Sequence, residues 1–180
     1  MTKTLIITGS LRQGNSNALA QLIKDELTGI DCEEINLGKL KMQFCDGCLG
    51  CDESEKCVKE DELSLLYGKL EAADKLVLIT PARWSLLSGE MKVFLDRLNP
   101  FAVSEKLKGK KAYCFAIGQS QEGDSESIEK ALESLKFFCD NAEIDYAGGS
   151  IVCDCLMPQD ILQNTKLQDY VAKAVSFIRE

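Results

Sequence analysis

The stretch TLIITGSLRQGNSNALAQLIKDEL, residues 4–27, decides how the rest of the chain is read. It opens on a short apolar run, TLIITG (4–9), rich in β-branched residues and stopped by Gly9 and Ser10. A run of this length and composition reads as a strand buried on both faces. A polar loop follows. Leu19, Leu22, Ile23 and Leu27 then recur at helical spacing. Strand, glycine-led loop and helix in this order make the first half of a βαβ unit.

The same alternation continues to the end. CEEINL (32–37) is a weaker second strand. KLVLITP (75–81) and KKAYCFAIG (110–118) are continuous apolar strands, and IDYAGGSIVCD (144–154) is the last. Helical patterns occupy 61–74, 88–98, 125–142 and 160–179, with Asn99-Pro100 ending the one at 88–98. Right-handed crossovers then give an α/β three-layer sandwich, a parallel sheet with helices on both faces. Five strands favour the flavodoxin-like order 2-1-3-4-5 over the six-stranded Rossmann order. The chain of 180 residues fits one domain, 1–180, with a cysteine-rich loop at about 44–60.

Composition narrows the chemistry. Lys and Arg number 21 against 29 Asp and Glu, a net charge of −8, which argues against nucleic acid as a partner. There is no histidine, so Ser-His-Asp and Cys-His catalysis and His-ligated zinc are excluded. No apolar run reaches membrane-span length and the N-terminus lacks a signal-peptide layout, so cytoplasmic residence is expected. In that compartment nine cysteines are thiols or metal ligands rather than a disulfide framework.

Ligands of doubly wound sheets bind beyond the carboxyl ends of the strands. The first such loop, GSLRQGNSN (9–17), lacks both the G-x-G-x-x-G fingerprint and the lysine of a P-loop. It offers Ser10, Arg12, Asn15, Ser16 and Asn17 at a helix N-terminus, a setting for a phosphate monoester. An ordinary helix capped by Asn15 or Ser16 is the alternative. The second loop, TPARWSLLSGEMKVFLDR (80–97), leaves its strand at Pro81. Trp84 taken alone is as easily a packing aromatic. The third, IGQSQEGDSES (117–127), carries Gly118, Gln119, Ser120 and Gly123, or simply feeds a helix capped by Asp124 or Ser125.

The segment FCDGCLGCDESEKC (44–57) spaces Cys45, Cys48, Cys51 and Cys57 as C-x2-C-x2-C-x5-C. Gly47 and Gly50 let the backbone turn around a bound group. Four thiolates suit a [4Fe–4S] cluster or an all-thiolate zinc site, and free or redox thiols remain a third reading. Cys114 and Cys139 read as core. Cys32 begins a weak strand, and Cys153 and Cys155 read as strand-end residues, with auxiliary thiols near a partner subunit as the alternative.

These motifs together resemble the flavodoxin-like NADPH-dependent FMN reductases, in particular the iron–sulfur flavoproteins. GSLRQGNSNAL is similar to that family's phosphate loop, which implies that Ser10, Arg12, Asn15, Ser16 and Asn17 hold the FMN phosphate. The 80–97 segment resembles TP-x-Y-W-x-x-[MV]-[ST]-[GA]-x-[LM]-K-x-F-[LI]-DR, which implies ring or ribityl contacts from Pro81, Ala82, Arg83, Trp84 and Ser85. Arg83 stands where the family often has Tyr. Ser88, Lys92, Asp96 and Arg97 look like framework or interface positions. The resemblance also implies that Gly118, Gln119, Ser120 and Gly123 reach the flavin edge, and that Cys45, Cys48, Cys51 and Cys57 bind one [4Fe–4S] cluster. It further implies chemistry on FMN with no protein nucleophile. Electrons would come from NAD(P)H or a ferredoxin-type partner and go to a small acceptor such as a quinone or flavin. The expected assembly is a homodimer or homotetramer. A flavodoxin-like carrier without its own substrate and a zinc-stapled flavoprotein are the alternatives.

Overall fold

The computed structural model describes residues 2–180. Five parallel strands, β1 (Thr4–Thr8), β2 (Cys32–Asn36), β3 (Lys75–Pro81), β4 (Lys111–Ile117) and β5 (Asp145–Val152), form one sheet in the order β2-β1-β3-β4-β5. This is the flavodoxin-like order. Thr8 lies opposite Ile79, Pro81 opposite Ile117, and Ile117 opposite Val152. The carboxyl ends of β1, β3, β4 and β5 therefore share one edge.

The two-residue period of the strands divides the core. Leu5, Ile7, Leu76, Leu78 and Cys114 face one side, under α4 (Gly89–Asp96) and α6 (Glu126–Asn141). Ile6, Val77, Ile79 and Phe115 face the other, under α1 (Asn15–Asp25) and α7 (Leu167–Arg179). Each such buried side chain contributes about 1.5–3 kcal/mol. Lys75 is buried where β3 begins. Its Nζ donates to the carbonyls of Phe177 and Ile178 at 2.9 and 3.1 Å, capping the end of α7.

Four local expectations change. The cysteine segment is not all loop, because Gly50–Ser54 forms a helical turn, α2. The helix expected at 61–74 is a 3-10 turn, Ser64–Leu66, followed by α3, Tyr67–Ala72. Asp61 and Ser64 bind each other's backbone N–H, and Gly68 lowers helical propensity. Pro100 does more than stop α4. It sits in the first turn of a new helix, α5 (Asn99–Val103), where its missing N–H costs nothing. The pattern at 160–179 is a 3-10 turn, Asp160–Gln163, then α7, with Asn164 at the break. No helix among the described residues is long and apolar enough to cross a membrane.

Candidate functional site

The ends of β1, β3 and β4 open into a cleft of about 570 Å³. Of the cofactor residues read from the sequence, all line it except Asn17 and Gly123. Asn17 is buried behind the first loop, its Nδ2 donating to Thr8 Oγ1 at 3.4 Å and its Oδ1 without a partner among the described residues. Gly123 lies at the exposed tip of the third loop with φ +97.

The first loop is held from across the fold. Arg12 Nη2 donates to the Leu156 carbonyl at 3.0 Å and Asn15 Nδ2 to the Met157 carbonyl at 2.9 Å. Ile161 N–H donates back to Asn15 Oδ1 at 3.1 Å. Neither Asn15 nor Ser16 caps α1. Gly14 occupies the cap position and supplies no side chain, so the first N–H groups of the helix are free of a side-chain acceptor. An anion fits that end on charge and hydrogen bonding. Gly38 keeps the loop in place, since a Cβ there would stand 2.3 Å from the Ser10 carbonyl oxygen.

The second loop is a two-residue hairpin. Arg83 N–H donates to the Leu86 carbonyl at 2.9 Å, and Leu86 N–H returns the bond at 3.0 Å. Trp84 and Ser85 between them have φ of +50 and +64. This is the primed turn that usually takes Asn-Gly. Left-handed geometry at two residues with side chains costs about 1–2 kcal/mol each. Trp84 is no core aromatic: it is 96% exposed at the rim of the cleft. The root of the loop is firm, with Ser88 N–H donating to Thr80 Oγ1 and Ser88 Oγ capping α4 through Met91 N–H.

In the third loop, a Cβ on Gly118 would stand 2.6 Å from Ile128 Cγ1, so glycine is required where the loop passes α6. Ser125 holds the cap position of α6 but makes no capping bond; its hydroxyl donates to Glu129 Oε1. Sequence reading missed Ser127, Ile128, Cys155 and Leu156 as cleft residues. The C-x-C at 153–155 and, for Ser127, the end of the third loop carried the signal for them. Burial pushes the Cys155 thiol up to about 12, which makes it an inert wall.

Cys45, Cys48, Cys51 and Cys57 line a second, smaller hollow together with Arg97, Asn99 and Pro100. Gly47 and Leu49 have φ of +68 and +58, which winds the backbone between the first three thiols. Among the described residues no three Cys, Asp or Glu side chains are gathered as a metal-binding group. The donor set itself, four thiols in one hollow, is that of an iron–sulfur or all-thiolate zinc centre. Asp46 is held below the usual carboxylate range by its 2.9 Å contact with Lys59. Burial pushes the Tyr67 hydroxyl up to about 12, and it donates to the Arg97 carbonyl at 2.9 Å. Lys92 pairs with Asp96 on the surface of α4, a framework contact.

Residues 2–144 match the model of the NADPH-dependent FMN reductase family. The chain belongs to that family. It is an NAD(P)H-dependent FMN oxidoreductase, and it stands in the iron–sulfur flavoprotein group of those FMN reductases. An iron–sulfur flavoprotein of Methanocaldococcus jannaschii is 30% identical over 136 residues, 74% of this chain and 70% of that one. Another, from Archaeoglobus fulgidus, is 31% identical over 111 residues, 60% of this chain and 50% of its own. An FMN-dependent NADH-azoreductase from Bacillus anthracis, solved in complex with FMN, shares the fold. Its TM-score is 0.72 at 15% identity, over 99% of this chain and 100% of that one. In this FMN reductase the matched residues contain all three strand-end loops and the cysteine hollow, whereas β5 and α7 lie beyond them.

Proposed function

We propose that the cleft holds FMN, its phosphate on residues 10–17 and its ring between the 81–85 hairpin and the 118–120 loop. One observation carries this: three loops distant in sequence bring their hydroxyls, amides and two arginines to one cleft. FMN, when bound, supplies the hydride- and electron-accepting chemistry. Among the described residues no Asp, Glu or Lys lines the cleft, so the chain's own residues orient the cofactor rather than move protons. Ser10, Arg12, Asn15 and Ser16 bind the phosphate, and Asn17 braces the loop from behind. Pro81, Ala82, Arg83, Trp84 and Ser85 shape one wall, and Gly118, Gln119 and Ser120 the other, with Gly123 as an outer contact.

Cys45, Cys48, Cys51 and Cys57 are the ligands of one [4Fe–4S] cluster in this reading. Support comes from the shared hollow, the thiol-only donor set and the names of the similar proteins. NAD(P)H or a ferredoxin-type donor supplies electrons, and a quinone or flavin accepts them. The 180 residues act as one unit in the cytoplasm, as a homodimer or homotetramer. Exposed Leu11, Trp84 and Leu156 around the cleft mouth support the assembly. A zinc-stapled reductase is the second reading, because the same four thiols suit zinc.

The test is steady-state NAD(P)H oxidation by FMN-loaded protein with a quinone or flavin acceptor. Turnover with a saturable acceptor supports the reductase. Bound FMN with no turnover from either NAD(P)H or a reduced ferredoxin under any acceptor overturns it in favour of a carrier.

A further inference from the structure

Asn99 stands outside the cysteine segment, yet its Nδ2 donates to the Cys51 sulfur at 3.0 Å. The same amide donates to Asp52 Oδ1 at 3.4 Å. The helix that carries Cys51, α2, packs on α5, which Asn99 opens. Arg97, two residues earlier, lines the same hollow as the four cysteines. Its side chain is fully buried. Nη1 and Nη2 donate to Asp61 and to the carbonyls of Gln43 and Lys59. Nε is buried with no partner among the described residues. Buried donors are almost always satisfied, so an orphan at this place needs an acceptor.

We propose that Asn99 and Arg97 are positioning residues of the four-cysteine centre. Asn99 donates to the Cys51 sulfur, and Arg97 keeps its Nε–H for the sulfur atoms that the loaded centre brings. This rests on the reading of the four cysteines as ligands of one iron–sulfur centre. Donors and positive charge next to cluster sulfur stabilise the electron-richer, reduced state and so raise the reduction potential. They oppose the acidic side chains of the segment, Asp46, Asp52, Glu53 and Glu55. Asp52 is one of these contacts, with its Oδ1 3.9 Å from the Cys51 sulfur. Without the Asn99 amide that carboxylate faces the sulfur uncompensated.

The experiment is an anaerobic potentiometric titration of the reconstituted full chain with dithionite, following the reduced cluster by electron paramagnetic resonance. Asn99 is exposed, so Asn99→Leu and Asn99→Asp are expected to fold. Asn99→Leu lowers the reduced-to-oxidised ratio at fixed potential about tenfold, about 59 mV for one electron. Asn99→Asp lowers it further. Arg97→Lys, which keeps the charge but loses the Nε donor, moves the midpoint the same way. The flavin couple in the same samples keeps its value. Asn99 variants with full iron content and the wild-type midpoint overturn the inference while leaving the cluster reading standing. Wild-type protein that binds FMN but no iron and sulfide overturns both.

Discussion

Arg97 and Asp61 form a two-pronged buried ion pair, Nη1 to Oδ2 at 2.6 Å and Nη2 to Oδ1 at 3.2 Å. Asp61 Oδ2 also accepts from Gln43 N–H at 2.8 Å, and Arg97 Nη1 donates to the Gln43 carbonyl at 2.8 Å. Residues 43 and 61 flank the four cysteines, so one ion pair ties both ends of the cysteine segment to the end of α4. Burial opposes charge on both partners, and their mutual bonds outweigh it. Asp61 is held below the usual carboxylate range and Arg97 is pushed up.

Breaking one half of this pair leaves the other charge buried. Arg97→Met is expected to cost about 3–5 kcal/mol of stability. Urea denaturation measures it. The double variant Arg97→Met, Asp61→Leu recovers part of the loss, because no uncompensated charge remains. A double variant as unstable as the sum of both single ones contradicts the coupling.

The same pair sets an acid limit. A carboxylate whose folded pKa is depressed contributes stability above its unfolded value, about 3.9. That contribution is lost as pH falls through the folded value. Between pH 5 and 8 the contribution of Asp61 is therefore constant. Below about pH 4 the wild-type chain loses stability faster than Asp61→Asn. Melting curves at pH 3, 4 and 7 for both proteins check the sign.

Arg12 is the one cation in the sequence of the phosphate loop, and the Leu156 carbonyl holds its guanidinium in place. Arg12→Ala is expected to weaken FMN binding about tenfold to a hundredfold, the range of a charge-assisted hydrogen bond. Riboflavin, which lacks the phosphate, should bind wild type and variant alike. Quenching of flavin fluorescence gives both constants. An equal loss for the two ligands places the phosphate elsewhere.

The hairpin at Trp84 and Ser85 carries strain that an Asn-Gly pair would relieve. Trp84→Asn with Ser85→Gly is expected to raise stability by about 1 kcal/mol or more while lowering turnover with the acceptor. Thermal denaturation and steady-state rates read the two effects separately. A variant that gains stability and keeps full turnover would remove Trp84 from the site.

Much of this was legible in the sequence, and the reasons differ by element. β1, β3 and β4 are buried on both faces, so their unbroken apolar runs named them, and their order along the chain fixed the sheet. The loops at 10–16, 81–85 and 118–120 followed from their place at strand ends. Helix boundaries near Asp61, Asn99 and Asn164 did not follow, because side chains from elsewhere or local Asx contacts reset them. Ile128 and Leu156 reach the cleft through packing of α6 and a long return loop, which leaves no local pattern. Gly38 gave no sign at all, since the backbone it makes room for is nearly thirty residues away at Ser10. Arg97 looked like framework, and its bond to Asp61 needed the fold to be seen.

The most direct measurement is an absorption spectrum of anaerobically purified protein with flavin, iron and sulfide quantified per chain. One FMN per chain is expected, released as free FMN on denaturation, with about four irons and four sulfides. A chain that takes up no flavin, or that holds stoichiometric zinc in place of iron, contradicts it.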